Sequence, residues 1–313
     1  MTFSYFEELG IINYDFPLNT VCTMRTGGNA KYAFFPKNID QLKEVISFLK
    51  KECIRYKILG NGSNTVFRDE GYDGAVVLTV DMKSLYDIVE GEKCDFDLNF
   101  DNDIRTIYVS AGYSLTSLAS KLVRAGYSGL EFAYGIPASV GGAVFMNAGA
   151  YGGEMKNVID SVEYLTSEGE IKYLKNSPEF DYFNYRHSYF TDHPDCIITG
   201  VFMKLNHADG FDPMDQAEKN MRSRKEKQPL EYPSCGSAFK RPQGHYAGAL
   251  IEQAGLKGFC IGGASVSEKH AGFIVNKGGA TTSDVMALIE YVRNRVFENS
   301  NVLLEPEIRV VED

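Results

Sequence analysis

The sequence lacks the features that would tie it to a membrane or to a nucleic acid. No segment approaches the roughly 20 consecutive apolar residues that cross a bilayer, and no basic stretch followed by an apolar core stands near the N-terminus. Lysine and arginine total 32 against 42 aspartates and glutamates, and they are scattered along the chain. We therefore expect a cytoplasmic protein that binds neither membrane nor nucleic acid.

Several catalytic and metal-binding signatures are also missing. The six cysteines include no Cys-x-x-Cys pair, so neither a zinc site nor a disulfide framework is predicted, and reduced, mostly buried thiols are expected. The five histidines form no HExxH pattern, and no G-x-S-x-G elbow occurs. The Gly-Lys dipeptide of a P-loop is absent. Hydrolase and metalloenzyme hypotheses lose support, and no metal is expected.

The 313 residues, 44% of them hydrophobic, suffice for one large domain or two to three small ones. Apolar spacing and capping residues predict helices over 38–50, 115–125, 213–227 and 246–254, and a last helix that begins after Thr282 or Ser283. Strand patterns cover 56–59, 75–80, 161–166, 196–205 and 302–311.

An acidic run lies between residues 87 and 103. Its carboxylates alternate with apolar positions around Gly91, which is typical of an exposed hairpin between two strands. We interpret Asp87, Glu90, Glu92, Asp95, Asp97, Asp101 and Asp103 as a solvated acidic surface. A metal site is disfavoured because no compact ligand spacing is present.

Two segments rich in small residues are candidates for ligand binding. The turn LGNGSN, residues 59–64, follows a predicted strand and offers backbone N–H groups suited to a pyrophosphate, although an ordinary tight turn has the same composition. It lacks the third glycine of the Rossmann fingerprint. Glycine, alanine and serine also dominate residues 134–153, where the backbone can closely approach a neighbouring helix or a planar ligand.

Three polar residues lie in apolar or small-residue segments, where burying a polar group costs free energy unless it pairs with another group or binds a ligand. Arg186, within FNYRHSYF, is expected to pair with a carboxylate or to bind an anionic ligand. Ser237, within PSCGSAFK, is a turn or cap hydroxyl on sequence alone. Glu307 lies in an apolar, strand-like stretch, where a structural ion pair and a general acid are both open.

Together these segments resemble one family, the UDP-N-acetylenolpyruvoylglucosamine reductases (MurB) of bacterial peptidoglycan synthesis. The resemblance runs from about Asn19 to Ile308. It is carried, in the family's order, by NTVCTMRTGGNA, ILGNGSN, GIPASVGGAVFMNAGAYG, YRHSYF, PSCGSAFK, AGALIEQAGLKG, GGASVSEKHAGFIVN and LEPEI.

The resemblance implies an α+β protein with a PCMH-type (vanillyl-alcohol-oxidase-like) two-domain FAD-binding fold and a C-terminal α/β substrate-binding domain. The implied domains are residues 1–80 and 81–207 for FAD and 208–303 for substrate, with a terminal strand in 304–313 returning to the second. The implied FAD-binding residues are Gly60, Asn61, Gly62, Ser63, Asn64, Gly135, Ser139, Gly141, Gly142, Asn147 and Gly149.

The family's reaction implies roles for five further residues. NADPH would reduce FAD, which would then pass hydride to the enolpyruvyl group of the UDP-sugar substrate. Arg186 and Glu307 would stabilise the enol-like intermediate, and Ser237 would deliver the proton. Lys227 and His270 would bind the substrate. A monomer is expected.

The chain departs from the family pattern at Arg241, where FKRP replaces FKNP and removes an asparagine expected to contact substrate. That arginine either binds a phosphate or points to solvent. No tyrosine-bearing insertion is present, so the chain resembles the family's shorter branch. Two alternatives stay open: another PCMH-type FAD oxidase or dehydrogenase, and a non-catalytic nucleotide-binding module.

Overall fold

The structure, a computed structural model, describes residues 1–100 and 102–312. Asp101 of the predicted acidic surface and Asp313 of the predicted terminal strand lie outside the described residues. Two compact units divide the chain. The first comprises Met1–Ile12, Phe34–Asn61 and Val76–Ser223, and the second comprises Asn13–Ala33, Gly62–Ala75 and the described residues from Arg224 on. The division into domains 1–80, 81–207 and 208–303 stays a prediction.

The described residues form both helices and strands. The helices are α1 (Phe3–Glu8), α2 (Ile39–Lys51), α3 (Leu115–Arg124), α4 (Val140–Phe145), α5 (Tyr189–Asp192), α6 (Pro213–Lys227), α7 (Ala247–Gln253) and α8 (Thr282–Ser300). The strands are β1 (Ile12–Pro17), β2 (Asn29–Phe34), β3 (Tyr56–Leu59), β4 (Thr65–Phe67), β5 (Tyr72–Leu78), β6 (Leu85–Val89), β7 (Glu92–Asp95), β8 (Ile104–Ser110), β9 (Tyr127–Ser128), β10 (Gly149–Ala150), β11 (Gly153–Glu154), β12 (Ile159–Leu165), β13 (Ile171–Lys175), β14 (Phe183–Asn184), β15 (His187–Ser188), β16 (Ile197–His207), β17 (Ser234–Ser237), β18 (Cys260–Ile261), β19 (Ala264–Val266), β20 (Phe273–Asn276) and β21 (Arg309–Val311). Among the helices of the described residues, none combines the length and the apolar character needed to cross a bilayer.

Local capping explains where the predicted helices begin and end. The Asn38 side chain accepts from the Gln41 N–H at 2.9 Å, which caps α2 as predicted. Helix α3 is followed by Gly126 in the left-handed region, with φ 83°, where glycine carries no steric penalty. Helix α8 begins one or two residues earlier than predicted, because Thr281 caps it in a capping box with Asp284.

An antiparallel sheet forms the core of the first unit. Its strand order is β13-β12-β16-β8-β6-β7, and β9 pairs beside it with β16. Helices α3 and α4 supply part of its core, with Leu118, Leu122, Val140 and Val144 buried in one cluster. The predicted strands 161–166 and 196–205 correspond to β12 and β16, which are antiparallel neighbours in this sheet.

A smaller sheet and a long helix form the second unit. The sheet has the order β17-β20-β19-β18, and α8 buries one apolar face that consists of Val285, Leu288, Ile289, Val292 and Val296. Strand β21 pairs with β4 in parallel. The second unit also contains most of β1, β2 and β5, which pair in the order β1-β2-β5.

The end of the chain differs from its prediction. Only Arg309–Val311 of the predicted strand 302–311 is extended in a ladder, and its partner is β4 rather than a strand of residues 81–207. Pro306 forms only an isolated bridge with Phe239. Proline has no N–H to donate to a ladder, which is consistent with the short strand.

The expectation of mostly buried cysteines is wrong. Cys22 and Cys235 are buried free thiols, Cys196 is half-buried, and Cys53, Cys94 and Cys260 are exposed. Two of the exposed thiols follow from local structure. Cys53 lies just after α2 with φ 54°, and Cys94 lies on the edge strand β7.

The acidic run forms a hairpin of β6 and β7, as predicted, but Asp87 is not part of a solvated surface. Its carboxylate is 1% exposed and receives Nε and Nη2 of Arg105 at 2.7 and 2.9 Å, and Arg105 is 0% exposed. The Phe96 ring lies 4.2 Å from the guanidinium carbon. A two-pronged ion pair between β6 and β8 therefore anchors the hairpin from inside.

Removing one partner of this pair leaves the other charge buried. We expect Asp87→Asn to lower the free energy of unfolding by about 3–5 kcal/mol. Asp95→Asn, on the exposed strand of the same hairpin, is the matched control and should change it by less than about 0.5 kcal/mol. Urea unfolding of both variants measures the difference, and equal values would contradict the anchoring role.

Candidate active site

In the first unit, the glycine-rich turn lies directly against the start of α4. The Asn61 amide donates to the Pro137 carbonyl at 2.7 Å, and a Cβ on Gly60 would overlap the Ser139 hydroxyl. Ser139 caps α4 by accepting from the Gly142 N–H at 3.2 Å. The predicted pyrophosphate turn and the predicted flavin segment are therefore neighbours, and glycine is required where they meet.

Backbone contacts hold the small-residue segment against the first unit's sheet. The Gly141 N–H donates to the Ala111 carbonyl at 2.7 Å, and a Cβ on Gly141 would lie 2.7 Å from the Ala111 side chain. Gly135 has φ 91°, in the left-handed region. The small residues of segment 134–153 were predicted to allow a close backbone approach, and at Gly141 this approach is to Ala111 of the same unit.

Arg186 lies at the turn of a short hairpin whose strands are β14 and β15. Its φ is 55°, in the left-handed region that non-glycine residues rarely adopt. Its Nη2 donates to the Gly149 carbonyl at 3.2 Å. The predicted anion-binding arginine and the predicted flavin segment are thus brought together within the first unit.

In the second unit, Ser237 and Glu307 lie on adjacent segments. Ser237 is the last residue of β17 and pairs with Phe273, so it stands in a strand rather than in the predicted turn. The Glu307 N–H donates to the carbonyl of Ala238, the next residue, at 2.8 Å. Glu307 is half-buried and precedes β21 instead of lying inside a strand.

The end of the glycine-rich turn is hydrogen-bonded to the segment that carries Glu307. The Asn64 amide donates to the Glu307 carbonyl at 3.0 Å, and the Arg309 N–H donates to the Asn64 carbonyl at 3.0 Å. Gly62, with φ 58°, accepts the Thr23 N–H at 3.1 Å. Residues 62–64 therefore connect the predicted cofactor turn with the segment that carries Glu307, within the second unit.

His270 occupies a turn at the edge of the same sheet. Its Nδ1 accepts the Gly272 N–H at 3.1 Å, and the Gly272 carbonyl in turn accepts the Ala238 N–H at 2.8 Å. Burial lowers the pKa of the imidazole below its ordinary value. Because Nδ1 is an acceptor here, the neutral ring carries its proton on Nε2.

Lys227 and Arg241, the two cations of the second unit that the family pattern singles out, are exposed. Lys227 is the last residue of α6. Two residues before it, the Lys225 carbonyl accepts a hydrogen bond from Nζ of Lys269 at 2.6 Å. Lys269 directly precedes His270 in the sequence. The Arg241 guanidinium lies 4.1 Å from the centre of the Tyr246 ring. This cation–π contact was not foreseen for the arginine that replaces the family's asparagine.

These features fit an FAD site. The turn at residues 59–64 has glycines at positions where a Cβ would overlap a neighbour, and a glycine-rich turn of this kind presents backbone N–H groups that suit a diphosphate. A family model described as an FAD binding domain matches residues 30–175, and a model of the UDP-N-acetylenolpyruvoylglucosamine reductase C-terminal domain matches residues 228–311.

Whole-chain comparisons agree with these matches. The UDP-N-acetylenolpyruvoylglucosamine reductase of Lactobacillus delbrueckii subsp. bulgaricus is 42% identical over 94% of this chain and 93% of its own. That of Caldicellulosiruptor saccharolyticus is 43% identical over 95% and 91%. The chain belongs to the MurB family.

A solved MurB structure supports the fold as well. MurB from Thermus caldophilus is 34% identical, with a TM-score of 0.77 over 96% of this chain and 98% of that one. The predicted α+β, PCMH-type FAD-binding fold and FAD as cofactor are confirmed for this MurB-family oxidoreductase.

Sequence reasoning missed second roles for two asparagines of this MurB-family chain. Asn64 and Asn147 were predicted only as FAD-binding residues, yet the Asn64 amide bonds the Glu307 carbonyl and the Asn147 amide bonds the Asn184 carbonyl. The partners lie 243 and 37 residues away along the chain, so no local pattern could have indicated them.

The contact between Gly60 and Ser139 can be tested by a double-mutant cycle. Gly60→Ala should cost about 1–3 kcal/mol of unfolding free energy because its Cβ overlaps Ser139 Oγ. Ser139→Ala should cost about 1 kcal/mol through the lost cap. The double variant should lose less than the two costs added, since removing Oγ relieves the overlap. Strictly additive losses in urea unfolding would refute the contact.

The lowered pKa of His270 predicts how the stability of the folded protein changes with pH. The unfolded imidazole, with its pKa near about 6.5, takes up a proton more readily than the buried one. The folded state therefore loses stability from this group as the pH falls below that value. We expect an NMR titration of the His270 ring, assigned with His270→Asn, to have its midpoint below about 6.5. A midpoint at or above it would contradict the effect of burial.

Proposed function

We propose that this chain reduces UDP-N-acetylglucosamine enolpyruvate with NADPH, through bound FAD, to UDP-N-acetylmuramate for peptidoglycan synthesis. Membership of the MurB family supports the substrate class. The observation that carries the proposal is the 2.8 Å hydrogen bond from Glu307 N–H to the Ala238 carbonyl. It joins the two segments that bear a carboxyl group and a serine hydroxyl, the groups that the second half of this reaction needs.

Bound FAD would supply the hydride that the enol ether receives at C3. Negative charge then develops on C2 and on the adjacent carboxylate of the substrate, and C2 needs a proton. The planar Arg186 guanidinium stabilises a carboxylate through two parallel donors. Glu307, as a neutral acid, donates to the developing oxyanion, and the Ser237 hydroxyl protonates C2. A serine is a weak acid, so neighbouring groups must return a proton to it.

We assign the holding of FAD to the glycine-rich turn and the small-residue segment, and the holding of substrate to Lys227 and His270. A neutral His270 with Nδ1 occupied by Gly272 can donate from Nε2 to a sugar or phosphate oxygen. Lys227, an exposed ammonium at the end of α6, suits a diphosphate.

Rapid-mixing absorbance of the flavin tests cofactor, donor and acceptor together. Anaerobic NADPH should bleach the yellow protein, and UDP-N-acetylglucosamine enolpyruvate should restore the colour. Bleaching without recovery would favour another flavin oxidase or dehydrogenase. A colourless protein that FAD cannot reconstitute would favour a non-catalytic module.

Ser237→Ala should separate the two half-reactions. We expect NADPH to bleach the flavin at a nearly unchanged rate, while reoxidation by the enolpyruvyl substrate slows by about 10²–10⁴-fold, the usual contribution of a positioned proton donor. Ser234→Ala, at the other end of β17, is the control and should leave both rates unchanged. Equal loss in both half-reactions would remove Ser237 from the proton transfer.

A further inference from the structure

Asn147 is a buried asparagine inside the segment predicted to bind FAD. It is 0% exposed, and its side chain is fully engaged by its own protein. Nδ2 donates to Glu154 Oε2 and to the Asn184 carbonyl, each at 2.9 Å, and Oδ1 accepts the Lys156 N–H at 2.9 Å. An asparagine amide has two N–H donors, so both are used and none is left for a ligand.

The neighbours of Asn147 determine which way its amide points. The Glu154 carboxylate can only accept, and the Lys156 backbone N–H can only donate, so nitrogen and oxygen are distinguished. The Lys156 ammonium also lies 2.9 Å from the other carboxylate oxygen, Glu154 Oε1, and holds the carboxylate in place. The amide therefore has a single orientation, with one N–H directed at the Asn184 carbonyl.

That carbonyl belongs to the hairpin that presents Arg186. Asn184 pairs with His187 across the hairpin, and only Tyr185 and Arg186 form the turn between them. The second strand is held by the same region, because Ser188 Oγ donates to the Phe145 carbonyl at 2.7 Å. Both strands next to the turn are thus bonded to the residues around Asn147.

The Arg186 guanidinium is also bonded to a residue close to Asn147. Arg186 Nη2 donates to the carbonyl of Gly149, two residues after Asn147. Arg186 also holds a left-handed φ of 55°, which is sterically unfavourable for a non-glycine residue and persists only where surrounding contacts impose it. The bond from Asn147 to Asn184 is one such contact on the backbone of this turn.

We infer that Asn147 is a positioning residue for Arg186, with Glu154 orienting its amide. The inference rests on the proposed function, in which Arg186 stabilises charge on the substrate. Asn147 acts on the second half-reaction through the arginine, and its side chain does not contact FAD. A displacement of about 1 Å at a substrate-binding group can cost roughly 10²-fold in rate.

The test uses the FAD-loaded protein and two substitutions. Asn147→Gly removes the amide while tolerating the left-handed φ of 41°, and Asn147→Asp keeps the shape but loses both donors and faces Glu154 with a like charge. In each we expect reoxidation by the enolpyruvyl substrate to slow by about 10–10²-fold. Bleaching by NADPH, the bound FAD per chain and the visible flavin spectrum should be unchanged. If the glycine variant does not fold, the aspartate variant is measured alone.

A matched control and a double variant separate positioning from general damage. Asn176 donates from Nδ2 to the Lys156 and Ile159 carbonyls at 3.0 and 2.9 Å, without a bond to the Arg186 hairpin. Asn176→Ala should leave the ratio of the two half-reaction rates unchanged. In an Arg186→Ala background, Asn147→Gly should slow reoxidation by less than about 2-fold more, because residues that act as a unit are not additive.

Three results would overturn the inference, and they differ from one another. Loss of FAD or slower bleaching in the Asn147 variants would indicate a cofactor contact or a purely structural role. Full additivity with Arg186→Ala would mean that the two residues act independently. Unchanged reoxidation in Arg186→Ala alone would remove the arginine from the proposed function and the positioning role with it.

Discussion

The second unit's part of the site depends on how the backbone of Glu307 is held. Its N–H donates to Ala238 and its carbonyl accepts the Asn64 amide, so both polar groups of the peptide chain are bonded to distant segments. Glu307 gains this order without belonging to a regular strand. Three segments of the chain, near residues 64, 238 and 307, therefore meet at one residue. These backbone hydrogen bonds fix the position from which the Glu307 carboxyl group extends.

Local sequence patterns predicted the five longest helices, α2, α3, α6, α7 and α8, because the groups that end a helix lie within a few residues of it, whereas the short helices α1, α4 and α5 were not predicted. Asn38 and Gly126 acted at the ends of α2 and α3 as their residue types suggest. Asp87 was misjudged because its partner, Arg105, stands on another strand and converts a polar residue into a buried one. The length of the last strand was overestimated because apolar residues around Pro306 pack without pairing in a ladder.

For the site, the residue patterns alone left ordinary alternatives open at Arg186, Ser237 and Glu307. The series of family segments in order narrowed them, and the structure adds what joins those segments. The side-chain amides of Asn64 and Asn147 donate to the backbone carbonyls of Glu307 and Asn184. The side chains of Glu307 and Asn184 play no part in these two bonds. No pairing of residue types can reveal such bonds, because every residue has a carbonyl.

The bond between Asn64 and Glu307 also bears on how the protein is made. Its two ends are separated by 243 residues. At a translation speed of about 5–20 residues per second, the earlier segment waits roughly 12–50 s on the ribosome for its partner. Throughout that interval the parallel neighbour of β4 is also missing, and its strand edge is open to wrong pairing. Val66, which packs in one cluster with residues of the C-terminal third, lacks these apolar neighbours until they have been synthesised.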